Sequence, residues 1–171
     1  MKITINRAPV LTLWAAVVAQ RLGFDWNESL TLGRVVAGLN AYAKGKALGI
    51  FQPRPKELKE KREELAHGEE LHVDLLHRAV PVVQAPEGLR AVSKGKPVDP
   101  ASVERYLRGK FGAGYDDARA AMTKLARSRP ADDLAREAFH LYEQFRPAVP
   151  AGTRGWGAAG ELDLARITAL G

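Results

Sequence analysis

Residues 9–23, PVLTLWAAVVAQRLG, and residues 25–44, DWNESLTLGRVVAGLNAYAK, decide the fold class. The first stretch is apolar almost all round from Pro9 to Leu22. A helix that is apolar on every side is a buried one. Pro9 suits the first helical turn, where its missing N–H costs nothing, and Gly23 is the expected C-terminal stop. Asp25 with Glu28 three residues later has the form of a capping box, with Asp in place of the usual Ser or Thr. A second helix is therefore predicted from about Asn27 to Lys44, ended by Gly45, with Leu32, Val35, Val36, Leu39 and Tyr42 at helical spacing. Gly33, Ala37 and Ala41 form a row of small residues, and Ala15 and Ala19 form another. Small rows let helix backbones approach closely, so the two helices are expected to pair as a tight hairpin.

Downstream of the hairpin the pattern changes twice. Residues 49–55 read as loop, and Pro55 to Ala66 as a charged, solvated helix that Gly68 ends. Then Leu71, Val73 and Leu75 alternate with His72, Asp74 and Leu76, and runs at 80–83 and 89–92 follow. Turn residues separate them at Glu87-Gly88 and Lys94-Gly95, which predicts a small antiparallel meander. Pro81 places its strand at an edge. From Asp99 the chain returns to helix. Asp99 is the expected N-cap, with Val103, Leu107 and Phe111 inward. The next helix carries Ala118, Ala121, Met122 and Leu125, and the one after it Leu134, Ala138, Leu141, Tyr142 and Phe145. Residues 152–160 are rich in Gly, and Glu161 to Leu170 reads as a last short helix.

The expectation is a mainly α chain with a small antiparallel β-meander, an α+β fold. An N-terminal helical hairpin and a C-terminal group of three to four helices flank the meander. The division falls between an N-terminal helical region, 1–66, and a sheet-plus-helix region, 67–171, which together fit one compact unit. With 171 residues, 46% hydrophobic and 27% charged, the composition is that of a globular domain rather than a disordered chain. There is no apolar run of the length a membrane helix needs, nor a secretory leader, which predicts a cytoplasmic protein with no membrane partner. Zero cysteines exclude disulfides, thiolate metal sites and a Cys nucleophile.

Charge carries the functional expectation. The chain has 26 basic and 20 acidic residues, a net of +6. Arg34, Lys44, Lys46, Arg54, Lys56, Lys59, Lys61 and Arg62 face only Glu57 and Glu60, so this stretch alone nets +6. A second stretch, Arg90 to Lys110, nets +4 with Arg90, Lys94, Lys96, Arg105, Arg108 and Lys110 against Asp99 and Glu104. Clustered cations neutralise phosphates and release counterions. The triplets Lys44-Gly-Lys46, Lys94-Gly-Lys96 and Arg108-Gly-Lys110 add glycines where backbone could approach phosphate. They fit better as helix ends and turns, where Gly and basic residues are favoured. Trp156, between two glycines, is a candidate to stack on a base, or to fold back onto the core. The expected nucleic-acid contacts are Arg34, Lys44, Lys46, Arg54, Lys56, Lys59, Lys94, Lys96 and Trp156, with DNA or RNA as partner. Lys2, Lys110 and Lys124 are expected to contribute less. A solvated surface on a non-catalytic homo-oligomer, dimerising through the first hairpin, is the alternative.

Catalytic readings are weaker. His67, His72 and His77 are spaced by five, which gathers them on neither a helix face nor a strand face. Glu69 with His72, and Asp74 with His77, resemble only half of a bundle di-metal site. No metal, cofactor or catalytic residue is expected. Adjacent acids at 116–117 and 132–133 decorate helix N-termini. Neither a nucleophile elbow nor a phosphate-binding loop is present. A helix-turn-helix reading of the first hairpin fits at Ala19, Leu22 and Gly23, but Ser29 falls where an apolar residue is wanted and the second helix has few polar side chains on its outer face.

The wording of Leu11 to Phe51, of Val103 to Phe111 and of Leu141 to Leu164 resembles a family of bacterial proteins with no known activity. The resemblance covers most of the chain and implies no site residue.

Overall fold

The computed structural model describes residues 1–47, 71–148 and 159–171. The charged segment 55–66, the loop before it, His67 and the stretch 149–158 with Trp156 lie outside the described residues. The described chain is mainly helical with small antiparallel sheets, an α+β architecture.

Strand β1 (Lys2–Asn6) leads into helix α1 (Arg7–Arg21), whose residues Pro9 to Ala19 are all buried. The all-round apolar sequence thus makes α1 the central helix, with the second helix and three C-terminal helices packed around it. It ends in a Schellman arrangement. The Phe24 N–H donates to the Ala19 carbonyl at 3.2 Å and the Gly23 N–H to the Gln20 carbonyl at 3.2 Å. Gly23 holds φ +120°, which a side chain would resist.

Helix α2 (Trp26–Ala47) opens with the expected capping box. The Glu28 N–H donates to Asp25 Oδ1 at 2.7 Å, and the Asp25 N–H to Glu28 Oε1 at 3.0 Å. The helix runs through Gly45 to Ala47, past its expected end. Glycine stops a helix only where the chain turns to positive φ. Within a continuing helix it costs about 1 kcal/mol, which context overrides. The hairpin is tight at Gly33, where a Cβ would lie 2.9 Å from the Ala16 backbone nitrogen and collide with the Thr12 carbonyl. The close approach therefore uses the Thr12–Ala16 turn of α1 rather than the Ala15/Ala19 row.

A four-stranded antiparallel sheet follows in the order β2 (Leu71–Leu75), β3 (Arg78–Ala85), β4 (Gly88–Ser93), β5 (Lys96–Pro97). Leu76 and His77 form a two-residue turn at φ +48° and +62°. Such a turn matches strand twist, and burial of Leu76 offsets its strain. Pro81 sits in an interior strand, contrary to expectation. The β3–β4 register begins only at Val82, so β3 has a single partner at Pro81 and the missing N–H interrupts no β4 ladder.

Helix α3 (Pro100–Phe111) is capped by Asp99, whose Oδ1 accepts the Ala101 N–H at 3.1 Å. A 3₁₀ turn (Gly112–Gly114) leads into α4 (Tyr115–Arg127), and α5 (Ala131–Phe145) follows. The faces expected to point inward do so. Val103, Leu107 and Phe111 join Ala118, Met122 and Leu125, and Leu134, Ala138, Leu141, Tyr142 and Phe145.

The chain's two ends meet in a second sheet. β1 pairs antiparallel with β6 (Ala159–Asp163), Lys2 opposite Asp163 and Asn6 opposite Ala159. Residues 161–163 are therefore strand, not helix. The last helix, α6 (Leu164–Leu170), starts later because Asp163 is its N-cap, with Oδ1 accepting the Ala165 N–H at 3.0 Å. Gly160 admits Ala148, whose carbonyl oxygen a Cβ would meet at 2.5 Å. Buried apolar residues form one cluster that draws on both the N-terminal helices and the C-terminal group. Among the described residues no helix is long and apolar enough to cross a membrane.

Candidate nucleic-acid interface

The surface begins with the β4–β5 turn. Lys94 and Gly95 hold φ +52° and +76°, a two-residue turn that leaves Lys94 and Lys96 exposed at the sheet's end. Arg34 stands on the outward side of α2, where its backbone neighbours Leu32, Gly33, Val35 and Val36 are buried. Its guanidinium lies 5.0 Å from the Tyr106 ring centroid of α3. Burial raises the Tyr106 phenol above its ordinary pKa, and Arg34 opposes that rise. This contact sets Arg34, the first cation of the first basic stretch, against α3, which carries part of the second.

Not every cation of the second stretch is available. Arg90 is only 8% exposed, and its Nη1 donates to the Leu89 carbonyl at 2.9 Å. Arg108 is taken by Glu104, with Nε and Nη2 each 3.1 Å from Oε1. Lys94, Lys96, Arg105 and Lys110 remain exposed.

Glu104 is the residue that the charge census undervalues. Its Oε2 accepts the Tyr115 hydroxyl at 3.0 Å and the Trp26 indole N–H at 3.3 Å. Burial, then the Glu104 charge and this hydrogen bond, push the Tyr115 phenol up to about 12. Trp26 in turn carries Arg119, whose guanidinium lies 3.7 Å from the ring centroid. The i, i+4 spacing of Glu104 and Arg108 was the available sequence signal. Nothing local pointed to Trp26 or Tyr115 as its other donors.

Of the expected contacts, Arg34, Lys94 and Lys96 are surface groups of the described structure. Lys44 and Lys46 fall on the last turn of α2, and their side chains, with Arg54, Lys56, Lys59 and Trp156, lie outside the described residues. Among the described residues the histidines do not converge. His72 and Asp74 are exposed on the outer face of β2, while His77 sits in the turn with its ring 6.3 Å from that of Phe139. Among the described residues no three His, Cys, Asp or Glu side chains gather to hold a metal. Between Leu30 and Asn40, α2 exposes only Arg34 and Gly38. That is too few polar side chains for a recognition helix to read base edges.

Comparison of the chain with family models, with curated proteins and with solved structures gives no match.

Proposed function

We propose that the protein is a non-catalytic, cytoplasmic nucleic-acid-binding protein that engages phosphates without reading sequence. The observation that carries this reading is the Arg34–Tyr106 contact, which sets the first cation of one basic stretch against a ring of the second. Arg34, Lys94 and Lys96 supply contacts from the described surface. Lys44, Lys46, Arg54, Lys56, Lys59 and Trp156 extend them along the chain. Each neutralised phosphate releases counterions, so affinity should fall steeply with salt.

The test is fluorescence anisotropy of labelled DNA duplex and of RNA at several salt concentrations. Replacing Lys44, Lys46, Lys56 and Lys59 with Ala should weaken binding to every sequence alike and flatten the log–log salt slope by about three to four units. Absence of binding to either nucleic acid at low salt defeats the reading.

Self-association has one observation in its favour. β2 pairs only with β3 among the described residues, and Leu71 and Val83 are 48% and 40% exposed. The apolar side chains of α1 are consumed within the chain itself, so a dimer would use this sheet rather than the hairpin. Sedimentation that shows a monomer at all concentrations removes it.

A further inference from the structure

One face of α4 carries Asp116, Arg119, Ala120, Thr123, Lys124 and Arg127 at helical steps of three and four. With Gln20 at the end of α1, these residues line an open groove of about 590 Å3. The opposite face, with Ala118, Met122, Leu125 and Ala126, is buried in the core, so the groove is held on a fixed element. Three cations face one carboxylate, a net of +2. Asp116 stands in the first turn of α4, where the helix dipole favours it, at one end of the groove.

Among the described residues these cations are unmatched, as Lys94, Lys96, Arg105 and Lys110 are, whereas some other basic groups of the described surface are paired. Arg108 pairs with Glu104, Arg129 with Glu137, Arg136 with Asp133 and Lys2 with Glu161. Among the described residues, no carboxylate comes within 4.0 Å ion-pair reach of Arg119, Lys124 or Arg127. Arg119 is also held in place. It rests on the Trp26 ring, and the indole N–H is fixed by Glu104. A preplaced guanidinium loses less rotamer freedom when it meets an anion. From Arg119 to Arg127 the helix rises about 12 Å, more than one phosphate spans. Among the described residues no aromatic ring lines the groove, so they offer bases no stacking platform there.

We infer that the α4 groove, through Arg119, Lys124 and Arg127, carries the phosphate backbone of a nucleic-acid strand. This rests on the nucleic-acid reading above and adds a contact surface that the two basic stretches do not include. It also reverses the minor role expected for Lys124.

The experiment measures anisotropy of a short labelled DNA duplex and of a labelled single strand against salt. It compares wild type, Lys124→Ala/Arg127→Ala and Arg119→Ala/Lys124→Ala/Arg127→Ala, with Lys2→Ala as control. The triple variant should flatten the salt slope by about two to three units and the double variant by about two, while Lys2→Ala leaves it unchanged. Lys124 and Arg127 are exposed, so the double variant keeps the fold even if losing Arg119 loosens Trp26. Melting followed by circular dichroism checks this. If wild type binds and the double variant keeps its slope, the groove is not the track and the reading through the basic stretches survives. If wild type binds no nucleic acid, both fall. Wild type that binds phosphatidylserine vesicles but neither nucleic acid also overturns the inference. So does full displacement by inorganic phosphate at constant ionic strength, which would mark a single-phosphate site.

Discussion

The side chain of Glu28 closes the edge of β4: its Oε2 accepts the Leu89 backbone N–H at 2.8 Å. One residue thereby does two jobs, since Oε1 caps α2 through the Asp25 N–H. Thr31, less than one turn further on, repeats the contact. Its Oγ1 accepts the Ala91 N–H at 3.0 Å while donating to the Glu28 carbonyl at 2.8 Å. An unpaired strand edge is a template for unwanted pairing. Here the edge N–H groups at 89 and 91 are consumed by the start of α2, which fixes the sheet on the helical hairpin.

Glu28→Ala should therefore cost more than an ordinary capping loss. It strands the Leu89 N–H and removes the Glu28 half of the α2 capping box together, and hydrogen bonds to a charged group contribute about 1.5–3 kcal/mol each. The expected loss is about 2–4 kcal/mol by urea denaturation. Thr31→Val, nearly isosteric, should cost about 1–2 kcal/mol. Losses below about 0.5 kcal/mol in both would mean that the edge contact carries no stability.

Two glycines of α2 should respond to alanine with opposite signs. At Gly33 a Cβ meets the α1 backbone, so Gly33→Ala must push the helices apart, at roughly 1–3 kcal/mol or more. At Gly38 nothing lies within 4 Å of a Cβ, so Gly38→Ala should stabilise by about 0.5–1 kcal/mol through helix propensity alone. Thermal unfolding of the pair checks this. Equal effects would mean that the close approach at Gly33 is wrong.

Much of this fold could be read where the deciding interactions are local. The capping box at Asp25, the stop at Gly23, the cap at Asp99 and the inward faces of α3 to α5 are each set within a few residues. The pairing of Lys2 with Asp163 was not legible, because partners 161 residues apart leave no mark on either strand's own pattern. Residues 161–163 read as helix because their cap, Asp163, sits inside the stretch. Pro81 misled for a related reason: the rule concerns hydrogen bonds on one side of a strand, and the register sets which side has a partner. On the surface, a count of cations could not show that Arg90 is buried or that Glu104 claims Arg108. Nor could it show that, among the described residues, no carboxylate comes within ion-pair reach of Arg119, Lys124 or Arg127 on α4.

Trp14 gives a test of the core. It is fully buried, its indole N–H donates to the Ala138 carbonyl at 2.8 Å, and its ring meets Phe145 edge-on at 5.3 Å. Trp14→Phe keeps an aromatic but removes the donor and leaves a void, at an expected cost of about 2–4 kcal/mol. Because α1 packs directly on α5 through this residue, the loss should appear in the global transition by urea denaturation. A loss confined to local fraying would contradict a central α1.

The last prediction concerns alkaline pH. An unfolded tyrosine ionises near 10. In the folded protein Tyr115 is pushed up to about 12, first by burial and then by the charge and hydrogen bond of Glu104. Tyr142 moves the same way, again mainly by burial. A folded pKa above the unfolded one means that the fold favours the neutral phenol. Its contribution is fully present below about pH 10 and is lost as the pH rises from there through about 12. The unfolding free energy should decline across that window by up to about 1 kcal/mol per pH unit for each such tyrosine. Tyr115→Phe should lower stability at neutral pH, by losing the Glu104 hydrogen bond, yet make the alkaline decline shallower. Tyr142→Phe should also make it shallower. Urea midpoints over a pH series, with ultraviolet titration of tyrosinate in parallel, provide the measurement. Identical alkaline slopes in wild type and Tyr115→Phe would show that the phenol is not held neutral by its burial beside Glu104.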